Sequence, residues 1–371
     1  MNSKAFLLPA ALMIAGNSVA NAKGKKTDKR PNILVILADD LGYSDLGCYG
    51  SEIHTPNLDK LAQQGVRFNH FYNASRSCPT RASLLTGLYQ HQAGIGRMTF
   101  DDNLPGYRGT LSRNAVTIAE VLKESGYTTS MIGKWHVAET PLRKDQREWL
   151  AHHVYHDTYS DLCHYPVNRG FDSHYGTIYG VVDYFDPFSL VEGEVPVKEV
   201  PEGYYITQAL SDRAAEEVTE YAKDDKPFFM YLAYTAPHWP LHALPEDIEK
   251  YKDTYKVGWE AIRNARYERQ KQLGIFPGMD DFLSERQFKD RWEDNVHAEW
   301  DARAMAVHAA MIDRMDRGIG QVVDALEKTG QLDNTLILFL SDNGCSNENC
   351  QNYSPGENDR PDMTRKGEKM V

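Results

Sequence analysis

The run Ser77-Cys78-Pro79-Thr80-Arg81-Ala82-Ser83-Leu84-Leu85-Thr86-Gly87 places a hydroxyl, a thiol and a guanidinium close together. Pro79 near its start and Gly87 after its last turn are helix start and stop signals. Read structurally, Ser77 is an N-cap, which accounts for the serine and proline but not for the arginine. A second group pairs Asp39 and Asp40 with Asp342 and Asn343. Four oxygen-bearing side chains suit a hard divalent cation, because adjacent carboxylates repel unless a cation or a proton intervenes. Either pair alone reads as exposed loop acids. A third group is cationic: Lys134 and His136 in Gly133-Lys134-Trp135-His136, and His238 in Ala236-Pro237-His238-Trp239-Pro240. Such donors gathered on neighbouring strand ends suit the charge of an anion.

These groups need elements that bring them together. Asn32 to Ala38 (NILVILA) is an almost unbroken apolar run that ends in carboxylates, the pattern of a buried strand. Helices are expected over Thr55–Gly65, Pro79–Gly87, Ala115–Ser125, Thr207–Ala222 and His308–Lys328, and strands over Val66–Asn69, Thr128–Ile132, Phe228–Ala233 and Thr335–Leu340. The alternation predicts an α/β fold with a mostly parallel central sheet flanked by helices and a site at the carboxyl ends of the strands. Residues 244–299, rich in Lys, Arg, Glu, Tyr and Trp, read as a helical insertion over the site or as a solvated excursion. Residues 345–371 read as loop-like, either a lid or a truncated end.

Composition limits the possibilities. The 371 residues carry 41 basic and 53 acidic side chains, a net charge of −12, with no long basic run, which argues against nucleic-acid binding. Residues 1–22 read as a secretory signal peptide, with Lys4, an apolar stretch from Ala5 to Ile14 and a small-x-small site at Ala20-Asn21-Ala22. That predicts a periplasmic or secreted protein without stable membrane insertion, and residues 23–30 as a flexible lead-in. The five cysteines do not form a disulfide scaffold or a CxxC zinc site, although Cys345–Cys350 is permitted as a pair.

Residues 77–87 resemble the sulfatase signature, (Cys or Ser)-x-Pro-x-Arg with a Leu-Thr-Gly close, and the Gly-Lys-Trp-His and Pro-His-x-Pro segments resemble further family segments. The resemblance runs from about Pro31 to Gly344 and implies an alkaline-phosphatase-like fold and hydrolysis of sulfate monoesters, of aryl or glycan type. It implies that Ser77, rather than Cys78, is oxidised to formylglycine by a serine-type maturation enzyme. A cation, calcium in most members, would then be held by Asp39, Asp40, Asp342, Asn343 and the oxygen at position 77. Lys134 and His238 would hold the sulfate, Arg81 would steady the aldehyde hydrate, and His136 would sit on its hydroxyl. The C-terminal subdomain usual in the family is not visible in this sequence, so the lysine that members add there is not assigned to Lys366 or Lys369. Trp239, Tyr184 and Phe185 are candidates for stacking on a sugar or aryl ring. Two alternatives remain: a phosphomonoester or phosphodiester hydrolase of the same superfamily, disfavoured because Lys134 and His136 stand where extra carboxylates would be needed, and a non-catalytic, truncated glycan-binding relative. A Ser-His-Asp hydrolase is a weaker third, since Ser77 has no nucleophile-elbow context.

Overall fold

The apolar runs become four strands of a seven-stranded sheet, three of them inner and one, Thr335–Ser341, at its edge. The computed structural model describes residues 30–139, 158–277, 283–284 and 291–346. The signal-peptide reading, Cys350, Lys366, Lys369 and most of residues 345–371 lie outside them. The strands are β1 (Asn32–Ala38), β2 (Thr128–Gly133), β3 (Ser173–Thr177), β4 (Leu190–Glu192), β5 (Val195–Pro196), β6 (Phe228–Ala233) and β7 (Thr335–Ser341), in the order β5-β4-β3-β2-β6-β1-β7. β7, β1, β6, β2 and β3 are parallel, and β4 pairs antiparallel with both β3 and β5. Leu34, Ile36 and Leu37 of β1 and nearly all of β6 are fully buried. Burial of each such side chain contributes about 1.5–3 kcal/mol, so strand position is set by apolar content rather than by turns.

Around the sheet lie α1 (Pro56–Gln64), α2 (Ser77–Thr86), α3 (Ile118–Glu124), α4 (Ile206–Tyr221), α5 (Pro245–Glu249), α6 (Trp259–Gln272) and α7 (Ala298–Lys328). α4 packs on β2, β3 and β6, and α7 lies against α4, α1 and α5. The 31-residue α7 starts ten residues before the expected His308. α3 is closed by a capping box, with Thr117 and Glu120 each bonding the other's backbone N–H. No described helix is long and apolar enough to cross a membrane.

Two expectations need correction. Val66–Asn69 is not a strand: it is exposed loop, with Val66 81% exposed, and pairs with no strand among the described residues. β3, β4 and β5 were not expected. β3 (SHYGT) carries a histidine and a glycine in place of an apolar run, and β4 and β5 are three and two residues long. In the 244–299 segment, α5 and α6 are helical as expected, and Arg266 on α6 ties the segment to the loop after β1 through Asp45 and Glu52.

Candidate active site

The register of the sheet assembles the acids. β1 and β7 are parallel, with Ala38 opposite Ser341. The next residues on each strand are therefore neighbours, Asp39 with Asp342 and Asp40 with Asn343. The Asp40 N–H donates to Asp342 Oδ1 at 3.2 Å, and Asn343 Nδ2 donates to Asp40 Oδ1. Asp40 holds its place in the left-handed region, φ 64°, a strain that surrounding structure must over-determine.

α2 brings in the hydroxyl. Its N-cap is Arg76 in extended conformation, so Ser77 is the first helical residue and its side chain caps nothing. The N-cap reading of Ser77 is thereby corrected: the hydroxyl faces the site. Pro79 lies in the first turn, where a missing N–H costs no helix bond. Arg81 is one turn on, and helical side chains lean toward the N-terminus. Its Nε accordingly donates to Ser77 Oγ at 3.0 Å and to Asp342 Oδ2 at 3.1 Å, and its Nη1 donates to the Lys134 carbonyl at 2.8 Å. Nη2 makes a 2.9 Å ion pair with Asp342 and approaches Asp39 Oδ1 at 3.3 Å.

β2 and the turn after it deliver Lys134 and His136. The Lys134 N–H bonds the Ala233 carbonyl, and Lys134 Nζ lies 2.5 Å from Asp39 Oδ2, with both side chains fully buried. His136 has φ 54° and places Nδ1 3.3 Å from Ser77 Oγ. Gly180 packs on the far side of that ring: a Cβ there would lie 2.2 Å from its Cε1 and Nε2 atoms. His238, after β6, puts Nε2 3.5 Å from Asp40 Oδ2 and Nδ1 2.5 Å from the Trp239 carbonyl. The Tyr184 hydroxyl donates within 2.8 Å of both the Thr235 and His238 carbonyls and so fixes that turn.

The electrostatics are those of a crowded acid cluster. Burial, and then Asp342, push the Asp39 carboxyl well above its ordinary value. For Asp342, burial acts upward, but Arg81 and then Lys134 hold it below the usual carboxylate range. Burial first, and then Lys134, bring His238 down to about 4. Burial also pushes the neighbouring Cys78 thiol up to about 12, which leaves it inert.

All nine predicted residues thus meet in one place, with Lys134 paired to Asp39. The cluster suits a hard cation. Asp39 Oδ1 is buried without a hydrogen bond, meeting only the 3.3 Å approach of Arg81 Nη2, and Asp39, Asp40 and Asp342 crowd three carboxyl groups together. A half-turn of the Asn343 amide would present oxygen in place of nitrogen to the same space. Tyr184, about 1% exposed, is a structural hydroxyl and not a stacking platform, whereas Phe185 stays 39% exposed. Gly180 has no recognisable signal as a site residue in the sequence, and Tyr184, expected as a stacking ring, acts instead through its hydroxyl, because each works by touching a loop distant along the chain.

Comparisons with known proteins agree with this geometry. The Sulfatase family model matches residues 31–365. An uncharacterized sulfatase of Schizosaccharomyces pombe is 35% identical over 342 residues, 85% of this chain and 58% of that protein. The arylsulfatase of Klebsiella aerogenes is 34% identical over 353 residues, 93% of this chain and 72% of that enzyme. The crystal structure of Ps i-CgsB in complex with k-i-k-neocarrahexaose superimposes with a TM-score of 0.59 at 33% identity, covering 85% of this chain and 59% of the other. This chain therefore spans less than two thirds of the first and third of these relatives. With its signature helix, its paired strand-end acids and a family model matched over most of its length, the chain belongs to the sulfatase family.

Proposed function

We propose that this protein hydrolyses sulfate monoesters, with Ser77 converted to formylglycine and one divalent cation, of the calcium type, held by Asp39, Asp40, Asp342 and Asn343 together with the oxygen at position 77. The observation that carries the reading is the position of Ser77 Oγ, with Arg81 Nε at 3.0 Å on one side and His136 Nδ1 at 3.3 Å on the other. When present, the modified residue supplies a geminal pair of oxygens, one to attack sulfur and one to expel sulfate, while the cation lowers the cost of negative charge. Arg81 stays cationic and orients the oxygen at position 77 with its Nε. His136 Nδ1 receives or returns a proton at that oxygen. Lys134 offsets charge at the floor of the site through Asp39. His238 faces the sulfate from the β6 side.

The Lys134–Asp39 pair also supports sulfate over phosphate, because an ammonium occupies space that a second metal would need. The saccharide-bound relative supports a sulfated saccharide or other small sulfate ester as substrate. The leader-like residues 1–22 support a periplasmic or secreted location. The test is turnover of an aryl sulfate beside the matching aryl phosphate, on protein from a host that oxidises serine at this signature, with the mass of the Ser77 peptide measured on the same sample. Sulfate-selective turnover, together with the mass change from hydroxymethyl to aldehyde, is expected. Sulfate turnover with Ser77 intact would overturn the proposal.

A further inference from the structure

Three residues outside the acid cluster converge on a separate site. Asp45 lies in the loop after β1, Cys345 just past β7, and His308 in α7. Their ligating atoms lie within 4.8 Å of one another. Two of these residues share loops with the cation ligands named above: Asp45 follows Asp40 by five positions, and Cys345 follows Asn343 by two. The Cys345 Cβ would sit 3.1 Å from a Cβ built on Gly42, so the two loops are in direct contact here.

His308 is the informative member. Its ring is more than nine-tenths buried, and its Nδ1 has no hydrogen-bond partner. A buried ring nitrogen without a partner costs about 1–3 kcal/mol, and a helix core would ordinarily carry an apolar residue at such a position. Asp45 already accepts from the Gly42 N–H at 2.9 Å and pairs with Arg266 at 2.5 Å. Arg266, however, is also claimed by Glu52 through two bonds, from Nε at 2.8 Å and from Nη2 at 2.7 Å. Its charge is shared between two carboxylates, so Asp45 keeps negative charge to offer. Cys345 is exposed and forms no disulfide among the described residues.

We propose that Asp45, His308 and Cys345 form a second metal site that takes a borderline divalent cation of the zinc class. One carboxylate oxygen, one imidazole nitrogen and one thiolate are the mixed donors such ions prefer. The oxygen-only set at Asp39, Asp40, Asp342 and Asn343 suits a hard ion instead. Tetrahedral coordination needs ligand atoms about 3–4 Å apart, so a closure of about 1 Å is required, which a rotation of the exposed Cys345 side chain supplies. Binding would release the Cys345 thiol proton to solvent. The bound ion would pin the loops after β1 and β7 to α7, and so hold the acid cluster from behind. Among the described residues, Asp161, Cys163 and His164 also cluster. They lie within four positions of one another, Asp161 is exposed and already accepts from the Cys163 N–H at 2.9 Å, and His164, whose Nδ1 is likewise without a partner, is only half-buried as a residue, so this cluster ties no separate elements together.

The test uses the full chain, reduced and stripped of metal by chelation, and then titrated with Co2+ alone. One equivalent should bind with a thiolate-to-cobalt charge-transfer absorption, and Zn2+ should displace it. Cys345→Ser and His308→Gln should each remove that absorption and weaken affinity by roughly tenfold or more, with an unchanged far-ultraviolet circular dichroism spectrum. Asp342→Asn should leave it intact. Absence of the absorption in the parent protein, its persistence in Cys345→Ser or in folded His308→Gln, or its loss in Asp342→Asn that retains the parent circular dichroism spectrum would overturn the proposal. The readout is metal coordination, so it is independent of whether sulfate esters are cleaved.

Discussion

Gly180→Ala is the sharpest probe of how His136 is held. The three atoms nearest to the added methyl would be Nε2 and Cε1 at 2.2 Å and Cδ2 at 2.6 Å, all of the His136 ring. Ordinary carbon contacts begin near 3.5 Å, so the ring must retreat by about 1 Å. It starts from a backbone already at φ 54° in a pocket where the residue is 4% exposed. Such a shift breaks the 3.3 Å approach of Nδ1 to Ser77 Oγ. A misplacement of about 1 Å at reacting groups costs on the order of 10²-fold in rate, and overpacking a core typically costs about 1–3 kcal/mol of stability. We therefore expect kcat on an aryl sulfate to fall by roughly a hundredfold and the thermal midpoint to drop by a few degrees. The decisive measurement is a double-mutant cycle with His136→Ala. Once the ring is gone, the alanine at position 180 has little left to displace, and its further effect on kcat should be under about twofold. A kcat near that of the parent in Gly180→Ala, or strictly additive losses in the cycle, would refute the reasoning.

The remaining expectations follow from individual contacts. Asp342→Asn removes the carboxylate that balances the fully buried Arg81. Breaking such a pair costs about 3–5 kcal/mol, so denaturant melts should show that loss and elemental analysis a fall in bound divalent metal. Cys78→Ala should keep turnover, and native Cys78 should resist alkylation, because burial holds its thiol near 12; rapid labelling of Cys78 in folded protein would count against the assignment of position 77. Glu52 sets a pH dependence. Burial acts upward on its carboxyl, but hydrogen bonding to Arg266 prevails and lowers it from 4.5. A depressed carboxyl contributes stability that is fully present above 4.5 and is lost as pH falls through the folded-state value. Stability measured from neutral pH downward should fall more steeply for the parent than for Glu52→Gln, and parallel curves would contradict this.

The parallel core was legible because a strand covered on both faces needs continuous apolar residues. NILVILA and FFMYLA are of this kind, and TLILFLS declares the edge strand β7 by its aliphatic and β-branched content, although Leu336 and Leu338 stay about half-exposed. The outer strands were hidden for the converse reason. SHYGT has too little apolar content to announce itself, and Gly176 is there because a Cβ would meet the Gly133 carbonyl at 1.9 Å. Val66–Asn69 shows the opposite failure, a β-like composition with no neighbouring strand to pair with.

The chemistry divides along a similar line. Local order along the chain determined the signature helix, the acids that end two strands, and the lysine and histidines that end two others, because each is specified within a few residues of its own element. The tertiary structure alone decided which of these touch. The β1–β7 register sets Asp39 beside Asp342, the placement of α2 brings Ser77 to His136 in the turn after β2, and a distant loop backs that ring with Gly180. The meeting of Asp45, His308 and Cys345 is of the same kind. Contacts between residues hundreds of positions apart depend on strand pairing and helix packing, which are summed over the whole core and leave no mark in any short stretch of sequence.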